Sequence, residues 1–284
     1  MENDSCALDP ELLRFARLLP KVELHAHLHG CARPSTIKKV GRDHGVNFES
    51  GRNLAVCFQI FDVIHQAVCD LATVQRIAQE ALEDMAADGV LYAELRTTPR
   101  PLPDGTSRRC YVEGVLAVFR DFERKLAPDG SPDGEQRGLI PRLLLSASRA
   151  EGLKEAEEMT ALALDMARHA EWGKYVLGVD FSGNPRKGSF TGLRPAFDAA
   201  RRGGLKVSLH CGEVTGEEEE TQAMIDFRPD RLGHAILLGE HTVTQLLSLE
   251  PRIPIEICPT SNRLTLDLDN HGEHPTVPGW IKHG

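Results

Sequence analysis

The chain has 284 residues, of which 41% are hydrophobic and 26% charged, enough apolar content to bury a core and too much for global disorder. A closed α/β barrel commonly occupies ~250 residues as one unit, so a single domain over residues 1–284 is expected. The formal charge of -9 opposes a polyanionic partner, and no basic patch relieves it, so nucleic acid is not an expected ligand.

The opening residues MENDSCALDP carry neither a basic nor an apolar signal region, and no run approaches the ~20 apolar residues of a membrane span. Cys6, Cys31, Cys57, Cys69, Cys110, Cys211 and Cys258 are scattered, odd in number and without a CxxC pair. That pattern speaks against a disulfide framework and against a cysteine zinc cluster. A cytosolic protein, with no membrane contact, is expected.

The first strand-like run, residues 22–28, holds His25 and His27, and His29 follows. Strand side chains alternate, so the three histidines are expected on one face. Imidazoles at that spacing suit zinc, although a surface stripe or hydrogen-bonded core histidines would give the same pattern. Next, Val74, Ile77, Ala78, Ala81, Leu82, Met85 and Ala86 recur at three- and four-residue steps, predicting a helix over 72–88 that Gly89 stops. The apolar run 90–95, closed by Thr97, Thr98 and Pro99, suits a buried strand and its exit loop.

The unit repeats at 139–145, 175–181, 205–209, 231–235 and 253–257, with helix-like or polar stretches between. Short buried strands alternating with helices imply a mainly parallel sheet. The expected fold is therefore a TIM-type (β/α)8 barrel lacking its eighth strand. A doubly wound sheet is the alternative, but no GxGxxG follows any strand. Residues 101–105 and 128–138 read as surface loops, and the acidic run 217–220 as a solvated first helical turn.

Later strands add chemistry at their carboxyl ends, where barrel sites are built. Ser208-Leu209-His210-Cys211-Gly212-Glu213 offers a further ligand and an acid, although a pair of surface residues reads equally well in isolation. Arg231-Leu232-Gly233-His234 ends the sixth strand with another histidine, and Cys258-Pro259-Thr260-Ser261-Asn262 follows the seventh. Solitary placement favours Cys258 as a buried inert thiol over a zinc ligand.

The run 20–30, His210-Cys211-Gly212-Glu213, Arg231-Leu232-Gly233-His234 and Cys258-Pro259-Thr260-Ser261-Asn262, in this order, resemble the signatures of the adenosine/AMP deaminase family over about residues 18–275. Tyr92-Ala93-Glu94-Leu95-Arg96-Thr97-Thr98-Pro99-Arg100 and the run 57–61 with His65 are similar to its adenosine deaminase-like branch, which acts on N6-substituted AMP. The resemblance implies one zinc ion on His25, His27 and His210, Glu213 as proton donor to purine N1, and His234 orienting or deprotonating the attacking water. It implies Gly183 against the purine, and His27, His29, His65, Thr97, Thr98, Pro99, Arg100 and Ser148 along the nucleotide pocket, with Arg96 a second candidate for the phosphate end. The implied reaction converts N6-methyl-AMP to IMP and an amine, the ligand being a small purine nucleotide and the protein a monomer. Adenosine deamination, another amidohydrolase activity and a non-catalytic product are the alternatives.

Three departures accompany the resemblance. His29 stands where the branch usually has asparagine, and Ser148 where relatives carry aspartate. The residues 275–284, with two prolines and two glycines, cannot form the family's eighth strand with its paired aspartates. Asp267 and Asp269 read as solvated turn residues, and a weakly active, marginally stable protein is expected.

Overall fold

The computed structural model describes residues 9–40, 53–126, 138–274 and 280. Seven parallel strands lie in sequence order: β1 Lys21–His27, β2 Val90–Thr97, β3 Ile140–Ser148, β4 Val176–Ser182, β5 Lys206–Cys211, β6 Arg231–His234 and β7 Ile255–Glu256. Each expected strand is present. The sheet curls into a nearly closed barrel: β1 and β7 each pair on one side only, yet His25 Nδ1 on β1 reaches Glu256 Oε2 on β7 at 2.6 Å. Among the described residues there is no eighth strand.

Helices precede, connect and follow the strands: α1 Pro10–Leu18, α2 Pro34–Val40, α3 Leu54–Ala67, α4 Leu71–Ala87, α5 Arg108–Leu126, α6 Leu153–Arg168, α7 Phe190–Arg202, α8 Glu218–Phe227, α9 Glu240–Ser248 and α10 Pro259–Thr265. The periodic segment predicted over 72–88 is α4. Asp70 caps it by accepting from Thr73 N at 2.7 Å, and Val74, Ile77, Ala78, Ala81 and Leu82 form its buried stripe. Between β4 and the outer layer, Phe181, Phe190, Phe197 and Phe227 meet at ring-centroid distances of 5.1–5.7 Å. Each such buried ring contributes about 1.5–3 kcal/mol of transfer free energy.

Three expectations about surface features can be placed. The 101–105 turn lies on the surface with only Leu102 buried, whereas 128–137 lies outside the described residues. The acidic run is only partly solvated: Glu218 and Glu219 are exposed, but Glu220 turns inward, accepting from Phe190 N at 2.6 Å and lying 3.5 Å from Arg149. The buried Arg149 guanidinium needs a carboxylate, which is why this residue leaves the solvated face. Asp267 and Asp269 are exposed, as expected. Among the described residues no helix is long and apolar enough to cross a membrane, and Cys31, Cys69, Cys110, Cys211 and Cys258 are free thiols.

Candidate active site

The histidines of β1 and β5 converge at the carboxyl end of the barrel. His25 Nε2 lies 3.1 Å and His27 Nε2 3.0 Å from His210 Nε2. Gly233 makes this arrangement possible, because a Cβ there would stand 2.7 Å from the His25 ring. Burial, chiefly, with Arg96 and the neighbouring histidines, holds the His25 pKa well below its usual value. His27 is lowered as well, by burial first and then by His210 and Arg96.

A buried layer of charge supports the three rings from below. Glu256 faces only donors: His25 Nδ1 at 2.6 Å, Arg96 Nη2 at 2.8 Å, Arg231 Nε at 2.8 Å and Ser208 Oγ at 3.1 Å. Asp180 accepts from Arg96 Nη1 at 2.7 Å and from Ser146 Oγ at 2.9 Å. His210 Nδ1 lies 3.1 Å from Asp180 Oδ1, a polar contact whose angle is off the hydrogen-bond line. Burial opposes the Asp180 charge, but His210 and Arg96 outweigh it and hold the carboxyl far below the usual range. Arg96 Nη2 also donates to Leu24 O at 2.5 Å.

These contacts decide whether the trio fits a cation. With Nδ1–H of His25 given to Glu256, its Nε2 turns a bare lone pair toward the centre, and the Asp180 contact favours the same tautomer for His210. Two bare nitrogens 3.1 Å apart repel unless a cation lies between them. A tetrahedral zinc ion with ~2.0–2.1 Å bonds would separate its ligands by roughly 3.3–3.4 Å, so the residues present fit such an ion with a small adjustment. His25, His234 and Cys258 also bring ligand atoms within 4.8 Å of one another, sharing His25 with the first trio. Cys258 donates to Glu256 O at 3.4 Å.

His234 and Glu213 stand beside the trio. His234 Nε2 is 3.6 Å from Glu213 Oε1, and its Nδ1 is 2.8 Å from Asn262 Oδ1. His234 and Ala235 adopt φ of 62° and 47°, left-handed backbone held by the Ala235 N to Cys211 O bond at 2.9 Å. Burial works against a charged His234, but Glu213, Cys258 and Asn262 more than compensate and push its pKa up to about 10.

Around this centre the structure sorts the expected pocket residues. Gly183 has φ 105°, and a Cβ there would meet Ser148 Oγ at 3.0 Å, so the glycine and Ser148 lie against each other at the mouth. Two expectations are corrected. His29 does not share a face with His25 and His27: the strand stops at His27, and His29 lies in a 3-10 turn, Leu28–Cys31, buried against Tyr111. Arg96 is fully buried beneath the histidines and neutralises Asp180 and Glu256, which keeps it away from any phosphate. Arg100 closes the end of α3, donating to His65 O at 2.6 Å and Val68 O at 3.1 Å. Part of the His65 surface opens to solvent, yet the protein mass around the ring, and then Arg100, push its pKa down to about 4. Thr97 and Pro99 are buried, and Thr98 is half-buried.

Asp180, Glu256, Arg231, Ser146 and Ser208 were not expected from the sequence, although a carboxylate inside an apolar strand run is itself a signal, since a buried charge must have a partner.

A parallel barrel carries at its carboxyl mouth a histidine cluster whose ligand atoms could hold a metal ion, and the family follows from comparison. The family model described as Adenosine deaminase matches residues 20–278, and the chain belongs to that family. It is 38% identical to an N6-mAMP deaminase of Arabidopsis thaliana over 92% of this chain and 78% of that protein. It is 32% identical to an N6-Methyl-AMP deaminase of Homo sapiens over 96% of this chain and 76% of that protein. The crystal structure of arabidopsis ADAL complexed with GMP superposes with a TM-score of 0.80 at 37% identity, covering 95% of this chain and 80% of the other.

Proposed function

We propose that this protein is a zinc-dependent aminohydrolase of purine nucleotide metabolism that converts N6-methyl-AMP to IMP and methylamine. The observation that carries the reading is the convergence of His25, His27 and His210 beside Glu213 and His234 at one barrel mouth. The names of the relatives, and a related structure solved as an ADAL-IMP complex, support the substrate class. His25, His27 and His210 hold the ion, whose chemistry when bound is Lewis acidity that brings a water to a pKa of ~7.

The chain's own groups do the rest. Glu213 gives a proton to purine N1, which takes up the electron pair displaced as water adds to C6. His234, charged at neutral pH and fixed by Asn262 and by its left-handed backbone, orients the attacking water; of the two protons that the water loses, one leaves on the amine and the other restores the Glu213 carboxyl. Gly183 lets the purine approach the backbone closely, with Ser148 beside it. The nucleotide end lies along His27, His29, His65 and the residues Thr97, Thr98, Pro99 and Arg100, none of them a carboxylate and one a guanidinium, which suits a phosphate. The protein is read as a single-domain cytosolic monomer.

The test is product identity. Purified, zinc-loaded protein given N6-methyl-AMP should release IMP and methylamine in equal amounts, and Glu213→Gln should slow this by ~10²–10⁴-fold. Absence of both products, or equal rates in the variant, would overturn the reading.

A further inference from the structure

The corrected position of His29 raises a question of which ring nitrogen it offers. His29 Nε2 lies 3.1 Å from the Tyr111 hydroxyl, and that hydroxyl lies 2.8 Å from Thr97 Oγ1. Tyr111 is fully buried in the first turn of α5, and His29 and Thr97 are each 5% exposed. The chain of hydrogen bonds thus ties the turn after β1, the end of β2 and the start of α5 together. His29 Nδ1 has no hydrogen-bond partner among the described residues.

Two proton arrangements satisfy these distances. In one, Thr97 donates to Tyr111, Tyr111 donates to His29 Nε2, and the ring carries its proton on Nδ1. In the other, His29 Nε2–H donates to Tyr111, Tyr111 donates to Thr97, and Nδ1 presents a lone pair. The first is favoured on two grounds. A phenol is a stronger donor than an imidazole N–H, and an imidazole nitrogen is a stronger acceptor than a hydroxyl oxygen. The second arrangement also leaves the Thr97 hydroxyl proton without an acceptor in a buried place, a costlier defect than a spare lone pair. Burial pushes the Tyr111 pKa up to about 12, so the phenol keeps the proton it donates.

We propose that Tyr111 is a positioning residue that selects the Nδ1–H tautomer of His29, so that the pocket presents a hydrogen-bond donor to an anionic oxygen of the substrate. Positive charge stands nearby: Arg100 is bound to the carbonyl of His65, whose neutral ring stands 5.0 Å from the His29 ring. The substrate half of this inference rests on the nucleotide reading above; the tautomer half does not.

The experiment combines nitrogen-15 histidine NMR of the full chain, without substrate, with steady-state kinetics. His29 is assigned by the signals lost in His29→Asn. The expected wild-type ring is protonated at Nδ1. In Tyr111→Phe, which keeps the ring volume, it should become a mixture, whereas in Thr97→Val, which removes the acceptor of the alternative arrangement, it should stay protonated at Nδ1. KM for N6-methyl-AMP should rise about tenfold in Tyr111→Phe with kcat little changed, while KM for the nucleoside stays constant. In the His29→Asn background Tyr111→Phe should add no further effect. A wild-type ring protonated at Nε2, or a tautomer unmoved in Tyr111→Phe, would overturn the proposal. Failure of the nucleotide reading has a separate signature, namely the expected tautomer shift with no nucleotide turned over.

Discussion

Replacing Glu256 with Gln probes the charge layer beneath the histidines. All four groups that face this carboxylate are donors: His25 Nδ1, Arg96 Nη2, Arg231 Nε and Ser208 Oγ. A glutamine amide offers one acceptor oxygen, so in either flip its NH2 meets donors on two sides. Arg96 would retain only Asp180 as a charged partner, and Arg231 only Glu94. Removing one partner of a buried ion pair costs about 3–5 kcal/mol, which at ~2–4 °C per kcal/mol lowers Tm by on the order of 10 °C. His25 would lose the anion that fixes its tautomer, and metal affinity should fall by ~10–100-fold. Thermal unfolding with and without zinc, together with a competitive zinc titration, reads both effects. A Tm shift within about 2 °C and an unchanged zinc affinity would refute the assigned role of the layer.

Other consequences follow from the same geometry. The double variant His25→Ala, His27→Ala should lose stoichiometric zinc by elemental analysis, and unchanged metal content would refute the assignment of β1. Gly183→Ala forces a Cβ onto backbone at φ 105° and within 3.0 Å of Ser148 Oγ, which should destabilise the fold by about 1–3 kcal/mol in a urea melt; an unchanged midpoint would contradict this. The His65 pKa is pushed down to about 4 in the fold against 6.5 for an unperturbed imidazole, so between those values the unfolded chain binds more protons. Its contribution is intact above pH 6.5 and is lost as pH falls toward about 4. His65→Gln should flatten that part of the stability profile, and a profile unchanged by the substitution would refute the shift.

The strands were legible because a buried parallel strand is a short apolar run between polar stretches, and β2 through β6 fit that description. His25, His27 and His210 were legible from alternation and from the position of each at a strand end. His29 was misplaced because the period of two was carried beyond His27, where the backbone turns into a 3-10 helix. Arg96 was misread because a charge next to the Thr97–Arg100 stretch resembles loop chemistry, whereas it is a strand residue facing inward. Its partners Asp180 and Glu256 sit 84 and 160 positions away, and only the barrel's closure brings them together. The Tyr111–His29 bond spans 82 positions and left no local mark in the sequence.

The proposed preference for a nucleotide with an N6 substituent is read by comparing kcat/KM of the zinc-loaded chain for N6-methyl-AMP, AMP and adenosine, following formation of IMP or inosine. The expected result is highest turnover efficiency with N6-methyl-AMP and lowest with adenosine; a clear preference for adenosine would contradict it.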